Sequence, residues 1–345
     1  MTNKKVLVTG GCGYIGSHTI VDLVNNGFEV VSVDNNVNSY PDVMDDIEKI
    51  IGKKIKNYQL DLCDLAATKK IFEEHPDING IIHFAALKSV GESVTQPLRY
   101  FRNNLNSLLN MLECCKLYDV KGFIFSSSCS VYGNAKELPV TEETPFEEAE
   151  SPYARTKQIG EQMVKDFAVN NPNTSSVMLR YFNPGGAHET TLIGERPKAI
   201  ALSLVPVITE TAIGKRESMV VFGDDYDTRD GSCIRDYIHV MDIANAHTKA
   251  VEFLFDNKNT SNYEVFNLGI GKGVTVIEAI QAFEKISGKK LNYRIAPRRE
   301  GDVVAIYANN DKALNILGWN PARNIEDIMK SAWKWEEKKN IIATN

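Results

Sequence analysis

Apolar runs rich in valine and isoleucine alternate with stretches of helical periodicity along the first half of the chain. KKVLVTG predicts a strand, a glycine turn follows, and the chain continues through YIGSHTIVDLVNNG as a helix. FEVVSVDNN predicts a second strand that ends in Asp34. Further strands are expected at 57–62, 80–87 and 121–128, with helices near 66–75 and 97–118 between them. Such alternation implies a parallel sheet covered on both faces, so the expected class is α/β and doubly wound. Such sheets bind ligands at the carboxyl ends of their strands, where Asp34, Asp61, Ala85, Lys88 and Ser126 to Ser128 fall.

A further helix starts at SPYARTK, with Ser151 able to cap it and Pro152 at its first position. Ile159, Met163 and Phe167 extend an apolar stripe, while Glu161 and Lys165 read as solvated. The C-terminal third predicts a helix near 199–213, a helix in MDIANAHTKAVEFLF and a returning strand in EVFNLGIG. Thr275 and Glu278 form a capping-box pattern, and Gly288 ends the helix that follows. Two parts are expected: 1–183 with about 236–270 as a dinucleotide lobe, and 184–235 with 271–345 as a smaller α/β substrate lobe.

At 345 residues the chain exceeds a single-core domain, and 43% hydrophobic with 24% charged residues is ordinary globular composition. A formal net charge of -6 argues against a general nucleic-acid or membrane surface. The chain enters a strand at its start, without the apolar core of a signal peptide, so a cytoplasmic protein is expected. The six cysteines form no CxxC pair, which fits reduced thiols. His239, Asp242 and His247 lie on an ordinary amphipathic pattern, and no metal is expected.

Gly10, Gly13 and Gly16 open the first helix at G-x-x-G-x-x-G spacing. Such glycines let backbone approach a pyrophosphate, and the helix N-terminus offers N–H groups and a positive dipole. Asp34, eighteen residues after Gly16, stands where a carboxylate accepts from ribose hydroxyls, and no arginine follows it. A Rossmann-type site for NAD rather than NADP is therefore expected. Asp61 reads either as part of that rim or as a helix cap.

Tyr153 and Lys157 are four residues apart on a helix, hence on one face. A neighbouring cation favours the phenolate, and a hydroxyl from Ser126 to Ser128 can hold the same substrate oxygen. Such a set takes a proton from an alcohol. The alternative is a surface helix that happens to carry both, and the adjoining dinucleotide signature favours chemistry.

TGGCGYIGSH, FAALKSVGES, SSSCSVYG, YARTK, RYFNPGGAH, FGDDYDTRDGSCIRDYIHVMD and RREGD together resemble the extended short-chain dehydrogenase/reductase superfamily, and within it the UDP-glucose 4-epimerase family. The resemblance implies reversible interconversion of UDP-glucose and UDP-galactose on tightly held NAD. It gives Tyr153 proton transfer, Lys157 the nicotinamide ribose and Ser128 the sugar hydroxyl. It also places Tyr14, Ile15, Asn35, Asp61, Leu62, Phe84, Ala85, Ala86, Lys88, Asn103, Ser126 and Tyr181 on the cofactor. Lys88, Phe182, Asn183, Ser203, Leu204, Phe222, Arg235, Tyr237, Arg299, Asp302 and Ile306 fall to the UDP-sugar. A guanidinium fork suits a diphosphate, though solvated arginines are the alternative. A homodimer built on the helices at 97–118 and 152–170 is implied as well.

Two departures bear on the substrate. Leu202 and Ser203 stand where the family has paired asparagines, and Ile306 stands near the sugar 2-substituent, leaving N-acetylated sugars open. Cys129 and Ser130 replace the acid and base that a dehydratase needs, which disfavours dehydration. A UDP-glucuronate epimerase or decarboxylase, or an idle NAD-sensing protein, remains as an alternative. Trp319, Trp333 and Trp335 read as packing rather than uracil stacking.

Overall fold

The computed structural model describes residues 4–299 and 302–344. The chain runs β1 (Lys5–Thr9), α1 (Tyr14–Asn25), β2 (Glu29–Val33), α2 (Val43–Ile51), β3 (Lys56–Tyr58), α3 (Leu65–Glu74) and β4 (Ile78–His83). It continues through α4 (Val90–Thr95), α5 (Pro97–Leu117), β5 (Gly122–Ser128), α6 (Pro152–Asn170) and β6 (Ser175–Tyr181). Then come β7 (Asn183–Gly185), α7 (Leu204–Ala212), β8 (Met219–Phe222), β9 (Ile234–Arg235), β10 (Tyr237–His239), α8 (Val240–Phe255) and β11 (Tyr263–Leu268). The rest is β12 (Val274–Thr275), α9 (Val276–Ser287), β13 (Tyr293–Ala296), β14 (Ala305–Ile306) and α10 (Ile325–Thr344).

Seven parallel strands form the main sheet in the order β11-β6-β5-β4-β1-β2-β3. Strand alternation divides its side chains between two faces. Val6, Val8, Ile82 and Ile124 pack with α1, α2 and α8, whereas Leu7, Ile81, Phe123 and Phe125 pack with α3, α5 and α6. This is the expected doubly wound sheet. The third strand is shorter than expected, ending at Tyr58, because the chain then turns across the strand ends toward Asp61.

A second core gathers Val205, Ile208, Met219, Val221, Ile280, Phe283, Ile328 and Trp333. Ala313, Leu317 and Trp319 return to the first core, with Trp319 donating to the Asp242 carbonyl at 2.8 Å. The Thr275–Glu278 capping box forms, and Gly288 ends α9 in the left-handed conformation. Ser151 caps α6 by accepting from Ala154 N, with Pro152 in the first turn.

The inward face of α6 is broader than the periodicity placed it: Met163 and Phe167 pack on the core of the sheet, and the fully buried positions lie beside them. Ala154, Lys157, Gly160, Glu161, Val164 and Ala168 face inward, and Ile159, Met163 and Phe167 are half-buried. Glu161 is therefore not solvated. It is 1% exposed and ion-paired with Arg180, which supplies the charge that its burial needs. Lys165 is exposed.

Candidate active site

The turn after β1 brings backbone against backbone. Gly10 has φ +69°, and a Cβ on Gly16 would sit 2.2 Å from the Gly10 carbonyl oxygen. α1 starts without a side-chain cap, so its first N–H groups face the cleft unclaimed by a capping residue. Asp34, at the end of β2, accepts from Cys12 N at 3.0 Å, Asn36 N at 2.8 Å and Ser39 Oγ at 2.7 Å. Those bonds fix the carboxylate at the rim. Asp61 is not the cap of α3: Asp64 is, accepting from Ala67 N, while Asp61 accepts from Cys63 N.

One elongated cavity of about 440 Å³ runs across the strand ends. Every residue expected at the cofactor lines it, from Gly10, Gly13, Tyr14, Ile15 and Gly16 through Asp34, Asn35, Asp61, Leu62 and Phe84 to Ala85, Ala86, Lys88, Asn103, Ser126, Tyr153, Lys157 and Tyr181. Ser128, Phe182, Asn183 and Ser203 line it too. Asn183 Oδ1 is buried with no protein partner. An uncapped helix start, a glycine turn and a rim carboxylate suit a dinucleotide, so the donor set fits NAD.

Most of the other residues expected at the substrate form a second group. Asp302 accepts from Arg299 Nη2 at 2.7 Å and lies 3.4 Å from Arg235 Nη2, while the Arg299 guanidinium stands 5.5 Å from the Phe222 ring. Arg235 pairs with Ile306 across β9 and β14, and Tyr237 pairs with Asn183 across β10 and β7. The Arg235 charge also reaches the Cys129 thiol, beside Ser128. Ile306 is buried with Phe182, Val131 and Tyr132, and Leu204 packs on the second core. Glu300 and Gly301 of the RREGD run lie outside the described residues.

Tyr153 and Lys157 emerge from the first two turns of α6. Lys157 Nζ donates to the Ser126 carbonyl at 2.6 Å and lies 4.9 Å from the Phe125 ring centre and 5.9 Å from that of Tyr153. Burial lowers its ammonium to about 8, against the pull of Glu161. The Tyr153 phenol is pushed up to about 12 by burial, with the Ser128 hydrogen bond acting the other way. The expected lowering of Tyr153 is thus reversed in the protein alone, where burial dominates and the lowering influence is the Ser128 hydrogen bond. The three serines separate: Ser126 Oγ meets Tyr181 OH, Ser127 Oγ donates to Glu161, and Ser128 faces Tyr153.

Several lining residues had no local signal in the sequence. The segment 192–203 runs from Ile193, in the first core, to α7 on the second, and closes one side of the cavity with Ile193, Gly194, Glu195 and Arg196. Arg196 lies 3.8 Å over the Tyr40 ring and 2.9 Å from Asp42, and Lys198 Nζ donates to the Asn36 carbonyl at 2.5 Å. Glu195 meets Lys88 at 3.3 Å, and its carbonyl accepts from Trp335 Nε1 at 3.1 Å. Trp335 is a wall residue, whereas Trp333 packs edge-on against Phe283. His239 caps α8 and meets Ser331, Asp242 pairs with Arg323, and His247 Nδ1 meets the Ile243 carbonyl.

The family model described as GDP-mannose 4,6 dehydratase matches residues 7–332. The UDP-glucose 4-epimerase of Bacillus subtilis is 44% identical over 331 residues, covering 96% of each chain. The crystal structure of UDP-glucose 4-epimerase from Bifidobacterium longum in complex with NAD+ and UDP superposes with TM-score 0.93 at 45% identity, covering 97% of this chain and 99% of that one. The enzyme from Stenotrophomonas maltophila, with bound NAD and formylated UDP-arabinopyranose, gives 0.95 at 42% identity, with 98% and 99% covered. At this identity and coverage the chain belongs to the UDP-glucose 4-epimerases, a branch of the extended short-chain dehydrogenase/reductase superfamily.

Proposed function

We propose that this protein interconverts UDP-glucose and UDP-galactose at C4, with NAD as its resident cofactor. The observation that carries this reading is the meeting of Tyr153, Lys157 and Ser128 at the far end of the cavity that Gly10 and Asp34 begin. Gly10, Gly13 and the start of α1 would hold the pyrophosphate, Asp34 a ribose and Lys157 the nicotinamide ribose. Bound NAD would supply an acceptor and then a donor for the C4 hydride, while Lys157 would favour the Tyr153 phenolate.

Tyr153 takes the 4-hydroxyl proton as the C4–H bond breaks, which leaves a 4-keto sugar. Ser128 holds the same oxygen. Asn183, Ser203, Arg235 and Arg299 with Asp302 grip the UDP portion, so the sugar alone turns over and presents its other face. Tyr153 then gives back the proton as the new C4–H bond forms. Cys129 and Ser130 place no carboxyl beside C5 or C6, and burial pushes the Cys129 thiol up to about 12, so neither eliminates water.

A homodimer on α5 and α6 is supported by Leu98, Leu109 and Leu117, which recur along α5 and are at least half exposed. All six cysteines are free thiols, which suits the reducing cytoplasm. The purified protein, given UDP-galactose without added NAD, should form UDP-glucose. A preparation that retains NAD and forms none overturns the reading.

A further inference from the structure

Lys157 and Glu161 lie one turn apart on the inward face of α6. The Glu161 carboxylate receives Arg180 Nε at 2.9 and 3.2 Å, Arg180 Nη2 at 2.6 Å and the Ser127 hydroxyl. Arg180 stands on β6 immediately before Tyr181, a wall of the cavity, and is 4% exposed. Its Nη1 donates to Tyr132 OH at 3.0 Å and to the Glu142 carbonyl at 3.2 Å. Tyr132 OH in turn donates to Asn267 Oδ1 at 2.6 Å, and Asn267 N to Glu142 Oε1 at 2.7 Å.

Neither Glu161 nor Arg180 lines the cavity. A buried ion pair contributes little to stability over apolar residues of the same shape, so its presence behind the proton-transfer pair points to another role. The charges run Lys157, Glu161, Arg180: plus, minus, plus. Around Lys157, β4 contributes His83, held neutral by burial at about 3, and β6 contributes the Tyr181 phenol, raised by burial. α6 contributes Tyr153 and Glu161, β5 the Ser126 carbonyl, and Tyr263 of β11 reaches Glu161. Among the described residues, Glu161 is the carboxylate that acts on Lys157.

We propose that Glu161 is a positioning residue for the proton transfer: held by Arg180 and Ser127, it fixes the turn of α6 that presents Lys157 and keeps that ammonium charged beside Tyr153. This rests on the roles given above to Tyr153 and Lys157. Removing the carboxylate takes away the negative charge that acts on Lys157, so Lys157 gives up its proton more readily. Removing Arg180 leaves the carboxylate to Lys157 alone and has the opposite effect.

The test is the pH dependence of kcat with UDP-galactose in wild type, Glu161→Gln and Arg180→Gln, each purified with its bound nucleotide. Both variants break the same buried pair, so structural damage alone moves both profiles alike or not at all. The expected result is an alkaline limb at least about one pH unit lower in Glu161→Gln and higher in Arg180→Gln. Glu161→Asp should restore the limb while keeping a reduced kcat. If one single variant fails to fold, the other still tests the proposal by the sign of its own shift, and the Glu161→Gln/Arg180→Gln protein, whose two amides can bond each other, should return the limb close to that of wild type. Unmoved limbs, or shifts of one sign in both single variants, overturn the proposal. An inactive wild type overturns the epimerase reading instead, and this inference with it.

Discussion

Lys157 donates to the Ser126 carbonyl at 2.6 Å, so the cation of the active helix is tied to the backbone of the strand that presents the serines. It sits against the Phe125 ring, 5% exposed, where water cannot solvate it. The helix and β5 therefore meet at a charged group that the fold holds under strain of solvation.

That cost should be visible in stability. The folded Lys157 titrates at about 8 and the unfolded residue at its ordinary 10.5. Between these values the unfolded chain binds more protons, so wild-type stability rises with pH across that window. Lys157→Met lacks this dependence. Its stability relative to wild type should fall by about 2 kcal/mol between pH 7 and pH 10. Denaturant unfolding at the two pH values measures it, and a constant separation of the curves contradicts it. Turnover should drop at both.

Tyr153→Phe removes one oxygen and leaves α6 in place. The variant should fold, keep its bound nucleotide and lose roughly 10²–10⁴ in kcat, the range for a positioned acid–base group. Near-wild-type turnover means that the proton leaves by another route.

Gly16→Ala forces a methyl to within 2.2 Å of the Gly10 carbonyl oxygen, a backbone atom that cannot swing aside. The turn must open, and the purified variant should hold little nucleotide by absorbance and by mass spectrometry of the native protein. Full occupancy places the pyrophosphate elsewhere.

Arg196 and Lys198 fasten segment 192–203 to the loop after β2 through Asp42, Tyr40 and Asn36. Half-exposed pairs of this kind are each worth about 0.5–1 kcal/mol. Arg196→Ala/Lys198→Ala should therefore release NAD roughly 5- to 30-fold faster, followed by fluorescence during exchange against labelled NAD, with kcat little changed in the loaded enzyme. An unaltered release rate assigns cofactor retention to other contacts.

The first βαβ unit was legible because its signals are local: Gly10, Gly16 and Asp34 fall within one short stretch. Tyr153 and Lys157 were legible as a helical spacing, and their neighbours made the chemistry specific. Glu161 was misread because its partner, Arg180, lies on β6, and periodicity on one helix does not see an ion on the strand beneath it. The lining residues Leu192 to Pro197 were missed for the same reason, since Arg196 meets Asp42 across 154 positions. The direction of the Tyr153 shift needed a depth of burial that four-residue spacing does not contain.

The chain passes between its two cores repeatedly. It leaves the main sheet after β6, returns with α8 and β11, leaves for α9, comes back at Ala313 to Trp319 and ends on the second core with α10. No single peptide bond divides the molecule into two foldable pieces. Each half of the active cleft is completed by segments made earlier and later in synthesis, so neither half can be assembled until nearly all of the chain has been made. The half built on the second core is in that sense not an appendage that recombination could graft onto another nucleotide-binding sheet. It is interleaved with the sheet it serves.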